Sequence, residues 1–156
     1  MPQRKRLWIV ITDGEHARIV VPGPAAGAFH TERAEDSATA HKRSTDLGTD
    51  APGRAFESSG STRHAIAPKH DPHAMAKQRF LQSVAGQINQ AAAEGAFDEL
   101  VLAVPPGEIA DLRDALDRGA AAKVIGTLGK DLVKVPDHEL GPHLAQWARP
   151  AAPKAG

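Results

Sequence analysis

Two short runs rich in β-branched and aromatic residues, Leu7-Trp8-Ile9-Val10-Ile11 and Ala17-Arg18-Ile19-Val20-Val21, lie close together near the start of the chain. Neither alternates with polar residues, so each is expected to be a strand buried on both faces. Asp13-Gly14 between them supplies turn chemistry, and the pair is expected to form an antiparallel hairpin with a slightly enlarged turn. Pro22-Gly23-Pro24 ends the second run. A third, weaker strand is expected near Ala28 to Ala34, where Phe29 is the only large apolar residue, and this modest burial predicts an edge position.

From Glu35 to His70 the apolar periodicity disappears, and Ser, Thr, Gly, Asp, Pro and His accumulate. A structureless stretch of this length inside a compact domain is more often functional or disordered than a packing device. Helical patterning resumes at Asp71-Pro72, a capping residue followed by proline at the first helical position. Met75, Phe80, Leu81, Val84 and Ile88 follow at helical spacing, Ala91 and Ala92 continue the face, and Gly95 is placed to close the helix. Phe97 to Val104 predicts a strand stopped by Pro105-Pro106. Ile109, Leu112, Ala115 and Leu116 predict a helix ending at Gly119, and Lys123 to Leu128 predicts a further strand. An extended piece is expected through Val135, then a last helix bearing Leu140, Leu144 and Trp147, bent or split at Gly141-Pro142.

The predicted order is a three-strand antiparallel meander, a long polar loop at about residues 36–71, then helix, strand, helix, strand, helix. Strand, helix and strand in succession imply parallel pairing. This is the plan of a ribonuclease-H-like α/β fold with a mixed sheet, expected to occupy one domain of residues 1–147 and to leave residues 148–156 as a disordered tail.

Composition narrows the chemistry. The chain has 156 residues, no cysteine and a formal net charge of zero. Thiolate metal sites, disulfides and cysteine nucleophiles are therefore ruled out. No apolar stretch approaches the roughly 20 residues that span a bilayer, and the run after the basic start breaks at Asp13, so a cytoplasmic protein with no membrane partner is expected. Zero net charge supplies no global field for nucleic acid, so such a partner would need a local patch.

Four site chemistries can be weighed on the residues. Asp13, at the end of the first strand, stands where ribonuclease-H-like nucleases hold a metal ligand, and Lys130-Asp131 could be brought nearby by the fold. Two-metal phosphoryl chemistry requires several converging carboxylates, and the strand ending at Val104 is followed by prolines rather than an acid. Asp13 is better explained as a turn residue before Gly14. His64, His70 and His73 lack the spacing of a zinc motif, so no metal is expected. Ser58, Ser59 and Ser61 share a loop with His64 but form no nucleophile elbow, and no catalytic residue is assigned. The fourth reading is the most informative. Gly53, Arg54, Arg63, His64 and Lys69 combine glycines that let backbone amides approach an anion with side chains that bind phosphate. Charge balance tempers it: between His41 and His73 there are five Lys or Arg against four Asp or Glu, and Phe56 is the only aromatic for base stacking. Salt bridges from Arg54 and Arg63 to Asp46 would account for the same composition.

Taken together, several motifs resemble the bacterial family of host attachment proteins, described as required for attachment to host cells. They are Trp8-Ile9-Val10-Ile11-Thr12-Asp13-Gly14 with Ala17-Arg18-Ile19, Pro52-Gly53-Arg54-Ala55-Phe56-Glu57-Ser58, Arg63-His64-Ala65 and Asp71-Pro72. Phe97-Asp98-Glu99-Leu100-Val101-Leu102, Pro105-Pro106, Lys130-Asp131-Leu132 and Pro136-Asp137-His138-Glu139-Leu140 extend the resemblance over residues 7–147. The family is in turn similar to the middle domain of archaeal and eukaryotic peptide-chain release factors, which carries a catalytic Gly-Gly-Gln on the loop before its main helix. This chain has Ser59-Gly60-Ser61 and Pro52-Gly53-Arg54 instead, so peptidyl-tRNA hydrolysis is not implied. Joined to the residues of the loop, the resemblance leads to the expectation of a non-catalytic module without a cofactor whose loop, through Arg54, Arg63 and His64, engages a phosphate-bearing partner such as the ribosome or structured RNA. A metal-dependent phosphodiesterase using Asp13 and a protein-interaction factor acting indirectly in attachment are the alternatives. A second copy of the chain is a further candidate partner, covering an apolar strand edge near Phe29.

Overall fold

The computed structural model describes residues 5–37 and 72–149. Its central strand is β1 (Leu7–Thr12), all of whose residues are buried. Trp8 and Val10 face one side, while Leu7, Ile9 and Ile11 face the other. The continuous apolar run therefore serves two cores, and each such side chain contributes about 1.5–3 kcal/mol when removed from water.

β1 pairs antiparallel with β2 (His16–Pro22), and β2 with β3 (Phe29–Asp36). On the opposite side β4 (Glu99–Ala103) runs parallel to β1, and β5 (Val124–Leu128) parallel to β4. The order β3-β2-β1-β4-β5 makes a mixed five-stranded sheet. Helix α1 (Pro72–Ala93), α2 (Pro106–Ala115) and the short α3 (Arg118–Ala121) occupy the connections and pack on one face, where Phe80, Val84, Ile88 and Leu112 meet Trp8, Val10 and Leu102. Phe97 stacks on Trp8 with ring centroids 4.8 Å apart. The other face is covered by the last part of the chain: a 3-10 turn at Asp137–Glu139, α4 (Leu140–His143) and a 3-10 turn at Ala145–Trp147. Leu132, Leu140, Leu144 and Trp147 pack there against Ile9, Ile11, Val20 and Phe29.

Gly95 ends α1 with φ of 72°, while the amides of Gly95 and Ala96 donate to the carbonyls of Ala92 and Ala91. This paired arrangement satisfies the final carbonyls and needs the left-handed conformation that glycine adopts without steric cost. The last helix is split as expected, into a 3-10 turn, α4 and a second 3-10 turn, with Pro142 inside the first turn of α4, where its missing donor is tolerated.

Five expectations need correction. Met75 is 37% exposed rather than on the buried face of α1, whose first buried residue is Phe80. The helix after β4 stops before Gly119: Leu116 is extended, and Asp117 caps a separate helix by accepting from the Ala120 amide at 2.9 Å. Residues after Asp131 make turns rather than an extended piece, with the Val133 amide on the Asp131 side chain and the Val135 amide on the Leu132 carbonyl. Phe29 is 4% exposed beneath the C-terminal layer, so no apolar edge lies there. Finally, Arg149, expected to be disordered, is held in place: its carbonyl accepts from the Gly27 amide at 3.1 Å and its side chain pairs with Glu99. Asp71, the expected helix cap, lies outside the described residues.

Candidate functional site

Three strands finish on one edge of the sheet, in a row of partners formed by Ile11, Ala103 and Leu128. β3 finishes on the same edge, because Asp36 pairs with His16 at the start of β2. In open α/β sheets, ligands commonly bind outside the carboxyl ends of the strands. Here that edge also holds Ser37 and the first turns of α1, the described residues on either side of positions 38–71. The Ser37 amide donates to the Glu15 carbonyl at 2.6 Å just before the segment begins. After it, α1 opens at Pro72 and lays the stem of Lys77 across Gly14, so close that a Cβ on Gly14 would stand 3.0 Å from Lys77 Cγ.

The length of α1 shapes this edge further. A helix of 22 residues spans about 33 Å, against about 20 Å for a six-residue strand. Its first two turns consequently overhang the sheet, and no residue of the helix before Phe80 is buried. The start of α2 adjoins the exit of β5, where a Cβ on Gly129 would stand 3.3 Å from Pro106 Cγ. α1 has no acidic residue in its first turn, whereas α2 has Glu108 in its own. Among the described residues no carboxylate stands in the first turn of α1; Asp71, directly before it, lies outside them.

The β1–β2 turn is built from its own side chains. Buried Thr12 donates its hydroxyl to the His16 carbonyl at 2.7 Å and accepts from the Gly14 amide at 3.3 Å. Asp13 Oδ1 accepts from the amides of Glu15 and His16, both at 2.8 Å, and Oδ2 lies 3.4 Å from His16 Nδ1. Burial pushes the Asp13 carboxyl up, but those two amides and the adjacent imidazole outweigh it and hold the group below its ordinary value. This carboxylate is engaged within the turn rather than presented outward. Asp131 is used in a similar way, accepting from the Val133 amide at 3.1 Å, and exposed Lys130 donates its amide to Leu128. Asp13 and Lys130-Asp131 do share the edge, but β4 separates their strands, leaving two strand spacings, about 10 Å, between the backbones. Among the described residues, no three His, Asp or Glu side chains come together in a set that could hold a metal ion. Gly53, Arg54, Arg63, His64 and Lys69 lie outside the described residues.

A network not foreseen from the sequence fastens the C-terminal layer. Arg18 reaches from β2 to donate to the carbonyls of Leu132, at 2.8 Å, and Val135, and it meets Asp137 at 3.5 Å. Asp137 in turn accepts from the Thr31 amide at 2.9 Å and hydroxyl at 2.6 Å. Burial raises the Asp137 carboxyl, but the Thr31 donors and the Arg18 charge prevail and lower it. Burial also lowers Arg18, partly opposed by Asp137, though an arginine remains charged. The signal available in the sequence was a lone arginine inside an apolar strand run, since a charge that enters a core requires partners.

A family model described as "Protein required for attachment to host cells" matches residues 8–144. No curated protein matches the chain. Among solved structures, an archaeal translation termination factor, aRF1, aligns with a TM-score of 0.48 at 10% identity, covering 91% of this chain. The chain spans only 38% of that factor's length.

Proposed function

Since the chain belongs to the family of proteins required for attachment to host cells, we propose that it is a non-catalytic cytoplasmic module whose 38–71 segment engages a phosphate-bearing partner, ribosome or structured RNA. The observation that carries this reading is that the described residues on either side of the segment, Ser37 and the first turns of α1, both lie at the carboxyl edge of the sheet. Ser37 fixes one end on Glu15, and Lys77 crosses the same turn at Gly14. The reading supplies Arg54, Arg63, His64 and Lys69 as charged donors and Gly53 as the point of close backbone approach. His73 and Lys77, in the first two turns of α1, follow the segment directly in sequence. The strand order β3-β2-β1-β4-β5, antiparallel on one side of β1 and parallel on the other, supports reading the fold as ribonuclease-H-like.

The metal-dependent phosphodiesterase reading has less support. Both Asp13 oxygens face the turn, and Asp131 lies beyond β4. The experiment that tests the proposal is co-sedimentation of the purified protein with ribosomes across a salt series. Saturable binding that weakens steeply with salt supports it, while absence of binding at low salt sends the search to a protein partner.

A further inference from the structure

β1 and β2 do not stay together along their whole length. They pair from Thr12–Ala17 to Ile9–Val20, after which β1 runs back to Leu7 beside β4 and β2 runs on to Pro22 beside β3. Between Leu7-Trp8 and Val21-Pro22 the sheet opens into a cleft of about 470 Å³. That volume falls within the range of small-molecule sites, about 300–1,000 Å³. Its charged lining is one-sided. Lys5, Arg6 and Arg149 supply cations, and Glu32 is the sole acid among the described residues that line it. Glu32 is the extra residue of a bulge in β3, where Thr31 pairs with Val20 and Arg33 with Ile19, and a bulge re-aims a side chain out of the regular alternation. Two of the cations have partners outside the lining. Arg6 Nε meets Asp98 at 3.3 Å in an exposed pair, and Arg149 meets Glu99 through one terminal nitrogen. Exposed pairs contribute little, and a guanidinium has five N–H donors, so both arginines keep donors for a further anion. Arg149 Nε is itself buried without an acceptor among the described residues, so Glu99 does not satisfy that side chain.

We propose that this cleft binds a small organic anion, a single carboxylate or phosphate joined to an apolar body, with the acidic group on Lys5 and Arg6 and the body along Leu7, Trp8 and Val21. The cations select an anion. The apolar wall separates that anion from a simple ion, which would leave the wall uncovered. The carboxylates separate it from a polyanion such as nucleic acid, whose further charges would be brought against Glu32, Asp98 and Glu99. Trp8 is held for this contact by Phe97, stacked on it at 4.8 Å. The cleft lies where β1 begins, at the opposite end of that strand from the Gly14 turn, so it stands independently of the functional reading above.

Titration with naphthylacetate, naphthyl phosphate and naphthylethylamine, followed by NMR through the Trp8 indole and the Val21 amide, tests this. Saturable shifts are expected with at least one of the two anions, the tighter of them identifying carboxylate or phosphate as the preferred group, and none with the amine. Acetate and inorganic phosphate should bind more weakly than their naphthyl counterparts by about tenfold or more, because they bury no apolar surface. The double variant Lys5→Gln/Arg6→Gln, at two exposed positions, should weaken the preferred anion about tenfold while keeping the parent circular dichroism spectrum. No saturable shift with either naphthyl anion, equal shifts with the amine, or a double variant with the parent's affinity overturns the proposal.

Discussion

Arg18 and Asp137, 119 positions apart in sequence, meet at 3.5 Å and tie the C-terminal layer to the middle of the antiparallel half of the sheet. Asp137→Ala would strip the Thr31 amide and hydroxyl of their acceptor and leave a partly buried guanidinium facing only carbonyls. A loss of about 2–3 kcal/mol is expected in urea unfolding. Arg18→Ala should cost more, since it also frees the carbonyls of Leu132 and Val135. Equal and negligible effects from the two substitutions would show that this network does not hold the layer in place.

Acid should weaken the fold in a defined window. Asp13 and Asp137 both have carboxyl groups held below the ordinary aspartate value of 3.8 in the folded chain. A depressed folded-state value means that the stabilisation is fully present above the unfolded value and is lost as pH falls through the folded one. Stability should therefore decline below about pH 4. Asp13→Asn and Asp137→Asn should each lower stability at neutral pH and flatten that decline. Thermal unfolding measured from neutral to acid pH checks it, and slopes identical to the parent would contradict the assignment.

Gly126 is required by its neighbour rather than by its backbone conformation. A Cβ there would stand 2.8 Å from Trp147 Cζ2, inside the contact by which the final turn caps the sheet. Gly126→Ala should destabilise by about 1–3 kcal/mol as the indole is displaced. Trp147 fluorescence should shift to the red in the folded variant. An unchanged spectrum with parental stability would show that the indole moves aside freely.

How much of this was legible in the sequence depended on the range of the interactions. The hairpin at Asp13-Gly14 and the close of α1 at Gly95 rest on local chemistry, and both could be read. The exposure of Met75 could not, since helical periodicity does not reveal that α1 is longer than the strands beneath it and overhangs them by two turns. Phe29 looked like an exposed edge residue because the layer that covers it, with Leu140 and Leu144, arrives more than a hundred positions later. The Arg18–Asp137 contact was invisible for the same reason, although an arginine inside an apolar run signalled that partners were needed. At the candidate site, the shared edge of Asp13 and Lys130-Asp131 followed from topology. Their separation by β4 required the strand order.

The most direct test of the proposed function is the salt dependence of ribosome or structured-RNA binding, measured for the parent protein and for Arg54→Ala/Arg63→Ala. The double variant is expected to bind more weakly, with a log–log salt slope shallower by about two, because each arginine neutralises one phosphate. A double variant with the parent's affinity and slope would contradict the claim that the 38–71 segment carries the binding.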